Sequence, residues 1–195
     1  VQYEQGTSFT EPADPKAIAR AVELARKSDV VVLCLGTSLK VEAEGRDRND
    51  LNLPGAQKEL LEAVYTANPK PVLVLVNAGP LVITWAHDHV PAILEAWYPG
   101  EAGGTAIAQV LLGDYNPGGH LPYTVYANLN GVPPTNEYDV SKGYTYLYFK
   151  GSPLYPFGHG LSYTTFAYKN LKLSQSTISP TAKVEISFDI ENTGS

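Results

Sequence analysis

The residues best suited to chemistry lie in one polar loop that follows the first apolar run of the sequence. The loop contains two glutamates, Glu42 and Glu44, and two arginines, Arg46 and Arg48, on either side of Asp47. A glutamate can act as a general acid when its pKa is raised and a second carboxylate faces it. The loop therefore predicts acid/base chemistry, and a solvated polar loop with internal ion pairs is the alternative.

Two details favour an ordered loop over a solvated one. Gly45, next to Glu44, permits a tight turn of the backbone. The two arginines can clamp the loop into one shape, since a guanidinium offers five donors in a fixed geometry. We therefore expect the loop to present a carboxylate in a defined position.

Other chemically suggestive groups give weaker signals, and none of them predicts a metal site or a cofactor. His87 and His89 are two residues apart on a predicted helix and so point to different faces. The glycines at 100–104 lack the Lys-Ser/Thr of a P-loop, which favours a strand-to-helix turn. Cys34 lies in the middle of an apolar run and is predicted to be a small core residue.

Apolar runs alternate with helical patterns over the first two thirds of the chain, which predicts an α/β layered fold with a mostly parallel sheet flanked by helices. The first run is apolar throughout, so both faces of that strand are expected to be covered. Sites in such folds gather at the carboxyl ends of the strands, where the polar loop lies. The predicted strands cover 30–35, 71–76 and 92–98, and the predicted helices cover 14–27, a segment around 60–67, 81–87 and 102–112.

The sequence divides into three regions. Residues 1–127 form the α/β domain, and residues 128–160 form a Tyr/Pro/Gly-rich connecting loop without a helical period. Its tyrosines, with Trp97 and Tyr98, can line a saccharide subsite or pack loops, and packing is favoured. Residues 161–195 alternate apolar and polar residues, which predicts half-buried antiparallel strands of a sandwich. Such a sandwich needs about seven strands, so this domain is expected to be truncated.

The net charge and the hydropathy of the sequence argue against nucleic acid as a partner and against a membrane span. The formal net charge of −6 argues against nucleic acid, because phosphates are bound by Lys/Arg clusters. No apolar run approaches eighteen residues, which predicts that the chain does not span a membrane.

Four motifs in order resemble those of glycoside hydrolase family 3. The run from Glu42 to Arg48, with the segment 51–55 behind it, resembles the family's acid/base loop. The other three motifs are 96–104 (AWYPGEAGG), 116–122 (NPGGHLP) and 156–166 (PFGHGLSYTTF). Together they extend over most of residues 1–170. Relatives often have an arginine where this chain has Leu147, so no polar contact is carried over to that position.

The resemblance implies an enzyme in which a (β/α)8 barrel carries a nucleophilic aspartate and the α/β domain carries the acid/base. The glutamate before Gly-x-Asp-Arg falls on Glu44, and Glu42 is the runner-up. Arg46, Trp97 and Tyr98 are the candidate substrate-binding residues. The α/β domain is expected to begin before Val1 and to be followed by a fibronectin type III-like domain. This chain is then inactive alone, because its nucleophile lies in the barrel domain or chain that is its expected partner.

The implied reaction is retaining hydrolysis of terminal β-xylosyl or β-glucosyl residues of plant-type oligosaccharides. The form of the acid/base motif and the segment from Pro133 to Tyr146 look more like β-xylosidases than β-glucosidases. The resemblance implies no cofactor and a secreted or periplasmic location. Two alternatives stay open: a non-catalytic module that binds carbohydrate or protein, and a nucleotide-binding domain, which the missing phosphate fingerprint disfavours.

Overall fold

Helices and strands alternate in the first part of the computed structural model, which describes residues 1–194; Ser195, the last residue of the predicted third region, lies outside the described residues. The elements of the α/β region are α1 (Pro15–Arg26), β1 (Val31–Gly36), α2 (Gln57–Ala67), β2 (Pro71–Val76), α3 (Thr84–His89), β3 (Ala92–Glu95) and α4 (Gly103–Leu112). The predicted alternation is confirmed. The third predicted helix lies three residues early, because Leu81 and Ile83 are buried core residues that precede α3.

The three strands form a parallel sheet in the order β1-β2-β3. Leu33 pairs with Leu73, and Leu73 pairs in turn with Ile93. The central strand β2 is the most buried, which explains its continuous run of branched apolar residues. Because the strands are parallel, their carboxyl ends meet at one edge of the sheet, and this edge positions the candidate site.

The core lies between one face of the sheet and helices α1, α2 and α3. Alternate side chains of the strands, Leu35, Leu73 and Leu75, are 5% exposed or less and pack in one cluster with residues of these helices, among them Ile18 and Leu61. Helix α1 begins as predicted, with the Asp14 side chain accepting a hydrogen bond from the backbone N–H of Lys16. The amphipathic face of each helix thus supplies the core.

The opposite face of β1 is open, so two expectations were wrong. Val32 is 44% exposed, and Cys34, expected in the core, is exposed as well. Side chains alternate across a strand, so Val32 and Cys34 point away from the helices that cover Leu33 and Leu35. The uniformly apolar sequence predicted that both faces of β1 are covered. Here an edge strand with only one covered face has the same uniformly apolar sequence.

The third strand ends at Glu95, three residues earlier than the predicted end at Tyr98. Trp97 has a φ of +55°, a left-handed conformation that interrupts an extended strand. The N–H of Ala96 still bonds the Leu75 carbonyl at 2.9 Å, and the chain turns away from the sheet at Trp97, so Trp97 and Tyr98 lie in the following loop.

The connecting region contains short helices that the sequence did not predict: α5 (Thr145–Tyr148) and 3-10 turns at Leu129–Gly131 and Val140–Lys142. Each is too short to produce a hydrophobic period. The region is tied to the α/β part by a bridge between Val125 and Tyr155, and Tyr155 packs against the core cluster.

The last strands, β4 (Phe166–Leu173) and β5 (Ile186–Asn192), form an antiparallel hairpin as predicted. The expectation that they are half-buried was wrong. Tyr168 is 71% exposed and Ile190, its partner across the hairpin, is 58% exposed. Within residues 1–194 no second sheet covers either face of this hairpin.

Across the described residues, no helix has both the length and the apolar character needed to cross a bilayer.

Candidate active site

The candidate site lies where the three parallel strands end. Thr37 directly follows β1, Asn77 directly follows β2, and Glu95 is the last residue of β3. All three side chains are linked to one another through Glu42 and its neighbours by the hydrogen bonds described below. The polar loop singled out from the sequence closes over this edge.

Close contact between the ends of β1 and β2 fixes Thr37. Gly36 has a φ of +148°, and a Cβ built on it would lie 2.0 Å from the carbonyl oxygen of Val76, so only glycine fits. The buried side chain of Gln57 holds the same residue, with its Oε1 2.7 Å from the Gly36 nitrogen and its Nε2 2.8 Å from the Gly36 oxygen. The backbone of Thr37 then bonds to the Val76 carbonyl at 2.9 Å.

Glu42 is a buried carboxylate that accepts hydrogen bonds from several donors. It is 8% exposed. Its Oε1 accepts from the hydroxyl of Thr37, from the N–H of Ala78 at 2.7 Å and from the N–H of Gly79 at 3.2 Å. Glu42 thereby joins the loop after β1 to the turn after β2.

The second oxygen of Glu42 forms a buried ion pair. Oε2 lies 2.8 Å from Nε of Arg48, whose Nη2 donates to the Pro80 carbonyl at 2.6 Å. Burial raises the pKa of Glu42, but the hydrogen bonds from Thr37 and the turn, with the charge of Arg48, outweigh it and hold the pKa below its ordinary value. Glu42 is therefore an ionised structural carboxylate.

Glu44 lies in the opposite environment, exposed at the tip of a tight turn. The turn is closed by paired backbone hydrogen bonds between Ala43 and Arg46, and Gly45 supplies a φ of +71° at its centre. The guanidinium of Arg46 donates to the carbonyls of Leu39 and Lys40 at 3.1 and 3.2 Å. The predicted tight turn and arginine clamp are both confirmed.

Glu95 is a second carboxyl at the same edge and is half-buried. Its Oε1 accepts from the N–H of Trp97 at 3.2 Å, and its Oε2 lies 3.4 Å from Nδ2 of Asn77. Burial raises the pKa of Glu95 to about 7, and the negative charge of Glu42 adds to this. Burial and the two glutamates also raise the pKa of the neighbouring Tyr123, which stays neutral.

The two aromatic residues after β3 contact this cluster. The hydroxyl of Tyr98 lies 3.0 Å from the Thr37 hydroxyl, while 38% of the Tyr98 residue surface remains exposed. The Trp97 ring packs edge-on against Tyr123, with ring centroids 5.2 Å apart. Tyr98 therefore contacts the start of the loop after β1, whereas Trp97 packs against Tyr123 at the same edge of the sheet.

Sequence reasoning missed Thr37, Asn77, Glu95 and Tyr123 in this cluster. It considered only the loop after the first strand as a source of carboxylates. The available signal was position, because Asn77 and Glu95 are polar residues at the ends of two further apolar runs.

The histidines and the tyrosine-rich region engage other partners. His87 lies 3.0 Å from the Tyr155 hydroxyl, and His89 bonds the Trp85 carbonyl and stacks on its ring. No group of three metal-binding side chains occurs within residues 1–194. Tyr146 stacks on Phe157 at 4.2 Å, so at least part of this region uses its rings for packing.

Comparison with known proteins identifies the family of this chain. The family model "Glycosyl hydrolase family 3 C-terminal domain" matches residues 4–163. The chain belongs to glycosyl hydrolase family 3. The predicted family and the predicted α/β fold are thus confirmed.

Individual relatives of this family 3 chain carry two kinds of name. This chain is 39% identical to a protein named beta-xylosidase from Formosa agariphila, over 100% of this chain and 27% of the relative. It is 40% identical to a periplasmic beta-glucosidase of Salmonella typhimurium, over 98% of this chain and 26% of the relative. The structure of a Bifidobacterium adolescentis family 3 beta-glucosidase superposes with a TM-score of 0.84 at 33% identity, over 97% of this chain and 30% of that one. The chain spans about a quarter of the length of the two sequence relatives.

Proposed function

We propose that this chain is the acid/base-bearing part of a retaining exo-β-glycosidase, in which Glu44 is the general acid/base and a barrel domain supplies the nucleophile. The proposed substrates are oligosaccharides with terminal β-xylosyl or β-glucosyl residues. The observation that carries the assignment is the contrast between Glu44, exposed at the tip of an ordered turn, and Glu42, buried beneath it.

The two glutamates differ in their fitness to act as a general acid. A general acid must hold a proton and release it to a leaving group that reaches it. Glu42 is ionised and both of its oxygens are occupied, so it offers neither a proton nor access. Glu44 is accessible, and the Ala43–Arg46 turn with the arginine clamp restricts where its carboxyl can lie.

In the proposed first step, the barrel's carboxylate attacks the anomeric carbon while Glu44 protonates the departing glycosidic oxygen. The product is a covalent glycosyl-enzyme intermediate. In the second step the Glu44 carboxylate removes a proton from water, which attacks the anomeric carbon and releases the sugar. Retention requires the two carboxyls to be about 5 to 5.5 Å apart, so the barrel must pack against the Glu44 turn.

We further propose that Trp97 and Tyr98 contact the sugar or its leaving group, since both follow β3 at the edge of the sheet that carries the Glu42–Glu44 loop. Arg46 was also predicted to bind substrate, and we propose instead that it holds the turn, because its guanidinium donates to two backbone carbonyls. The preference for xylosyl over glucosyl residues remains a prediction from the motifs, since relatives of both names match at similar identity. A secreted or periplasmic location is proposed on the name of the Salmonella typhimurium relative.

The test compares Glu44→Gln with Glu42→Gln in the enzyme that contains this chain joined to its barrel. For Glu44→Gln we expect turnover of alkyl glycosides to fall by about 10²- to 10⁴-fold. Turnover of nitrophenyl glycosides, whose leaving group needs little protonation, should fall much less in the glycosylation step. Glu42→Gln should affect both substrates alike. Unchanged kinetics for Glu44→Gln would contradict the proposal and favour a binding role for this domain.

A further inference from the structure

Three strand ends are joined into one ring of contacts beneath the Glu44 turn. The Tyr98 hydroxyl contacts Thr37, Thr37 donates to Glu42, and Glu42 is bound by the N–H groups of Ala78 and Gly79. Two residues complete the ring. Asn77 bonds Gly79 in the turn after β2, and Glu95 accepts from the N–H of Trp97. Of these groups, Glu95 is the titratable one that the proposed reaction leaves without a role.

Asn77 connects Glu95 to the turn that holds Glu42. The residue is fully buried, and its Nδ2 is shared between the Gly79 carbonyl at 2.8 Å and Oε2 of Glu95 at 3.4 Å. Its Oδ1 has no hydrogen-bond donor within residues 1–194. The amide has two N–H groups and faces one acceptor with each, so a stronger pull from Glu95 on the long contact shifts Nδ2 relative to the Gly79 carbonyl.

We propose that Glu95 is a positioning residue for the Glu42–Glu44 loop, and that its ionisation draws the Asn77 amide away from Gly79 and loosens that loop. An ionised carboxylate is a stronger acceptor than a backbone carbonyl, whereas a protonated carboxyl is a weak one. With Glu95 neutral, Nδ2 stays on Gly79, and the N–H groups of Ala78 and Gly79 stay aimed at Glu42.

Burial, with the charge of Glu42, favours the neutral form of Glu95 near and below neutral pH. The titratable groups near Glu95 are Glu42 from the loop after β1, which is paired with Arg48, and Tyr123 from the segment after α4. Burial raises the pKa of Glu95 to about 7, so the carboxyl loses its proton around neutral pH. The folded pKa lies above the unfolded one, so stability from this group is lost as pH rises toward 7.

The first experiment measures amide hydrogen exchange at Ala78 and Gly79 in the 195-residue chain, corrected for the intrinsic exchange rate. In the wild type we expect protection to fall more than tenfold between pH 6 and pH 8. In Glu95→Gln, which mimics the neutral carboxyl, we expect less than a twofold change. Glu59→Gln, a change of an exposed glutamate on α2, is the matched control and should behave as the wild type.

An equal fall in protection in Glu95→Gln and the wild type would overturn the inference, and so would constant protection in the wild type. If Glu95→Gln does not fold, the carboxyl ¹³C shift of Glu95 in the labelled wild type gives a test without substitution. A titration that coincides with the loss of Ala78 and Gly79 protection supports the inference. A titration that does not coincide with it refutes the inference.

The consequence for catalysis rests on the proposed function and has its own readout. In the barrel-joined enzyme, Glu95→Gln should extend the alkaline limb of the kcat/KM profile, whereas the Glu59→Gln control should keep the wild-type profile. The exchange result does not depend on turnover. If exchange behaves as expected but Glu44→Gln keeps full activity, the acid/base assignment fails and the positioning role of Glu95 stands.

Discussion

Glu42 and Glu44 lie two residues apart in one loop, yet the first is 8% exposed and paired with Arg48 whereas the second is exposed at the tip of a turn. The buried glutamate fixes the base of the loop to the ends of β1 and β2. The exposed glutamate is the one that we propose meets the substrate. One loop thus carries a structural carboxylate and a candidate catalytic one.

The buried pair of Glu42 and Arg48 should be worth far more than a surface pair. Arg48→Met leaves the Glu42 charge buried without its cation, and we expect a loss of about 3 kcal/mol in the free energy of unfolding. Denaturant unfolding at pH 7 measures it. Lys27→Met, which removes an exposed ion pair with Glu23, is the control and should change stability little.

A double-variant cycle isolates this interaction. Combining Glu42→Gln with Arg48→Met should cost less than the sum of the two single losses, because the second change removes a charge already left unpaired. Strict additivity would mean that the two side chains do not stabilise each other.

The lowered pKa of Glu42 predicts how acid affects stability. Because the folded pKa lies below the unfolded value near 4.5, the stability from this group is present above pH 4.5 and is lost as pH falls through the folded pKa. Glu42→Gln lacks that dependence. The difference in unfolding free energy between wild type and variant should therefore shrink as pH is lowered from 6 to 3, and a constant difference would argue against an ionised Glu42.

Gly36 is expected to be irreplaceable in the fold. Gly36→Ala places a Cβ 2.0 Å from the Val76 carbonyl oxygen at a φ of +148°, so we expect severe destabilisation or failure to fold. Gly104→Ala, in the first turn of α4 with open space around the added carbon, is the matched control and should leave stability unchanged or slightly raised. Thermal unfolding of both variants checks the pair, and a well-folded Gly36→Ala would show that the strand ends can separate.

The isolated chain is expected to be inactive on nitrophenyl β-xyloside and β-glucoside, because the proposed nucleophile belongs to the barrel. The measurement is product release by the purified 195-residue chain, with the barrel-joined enzyme as the positive control. Turnover by the isolated chain that disappears in Glu44→Gln would contradict the division of the site between two domains.

Much of the architecture was predictable because it depends on residue patterns that are local in the sequence. Pro71–Val76 is a strand at the predicted positions, and the Asp14 cap begins α1 as predicted. The Glu44 turn was predictable from Gly45, whose neighbours form the expected tight turn. These features depend on residues close together in the chain.

Features that depend on distant neighbours were not predictable. Whether Cys34 is buried depends on what packs against the second face of β1. A run of apolar residues does not tell whether that face is covered. The Glu42–Arg48 pairing and the Asn77–Glu95 contact join loops after different strands. The early end of β3 arises from one left-handed residue, Trp97, and tryptophan rarely signals such a conformation.

Azide rescue tests the central assignment most directly. In the barrel-joined enzyme, Glu44→Ala should hydrolyse nitrophenyl glycosides slowly, because its glycosyl-enzyme intermediate lacks the base that activates water. Added azide, which needs no base, should restore turnover and yield the β-glycosyl azide with retained configuration. Glu42→Ala should give no such product. A Glu44→Ala enzyme that keeps wild-type turnover, or that forms no β-glycosyl azide, would contradict the assignment of Glu44 as the acid/base.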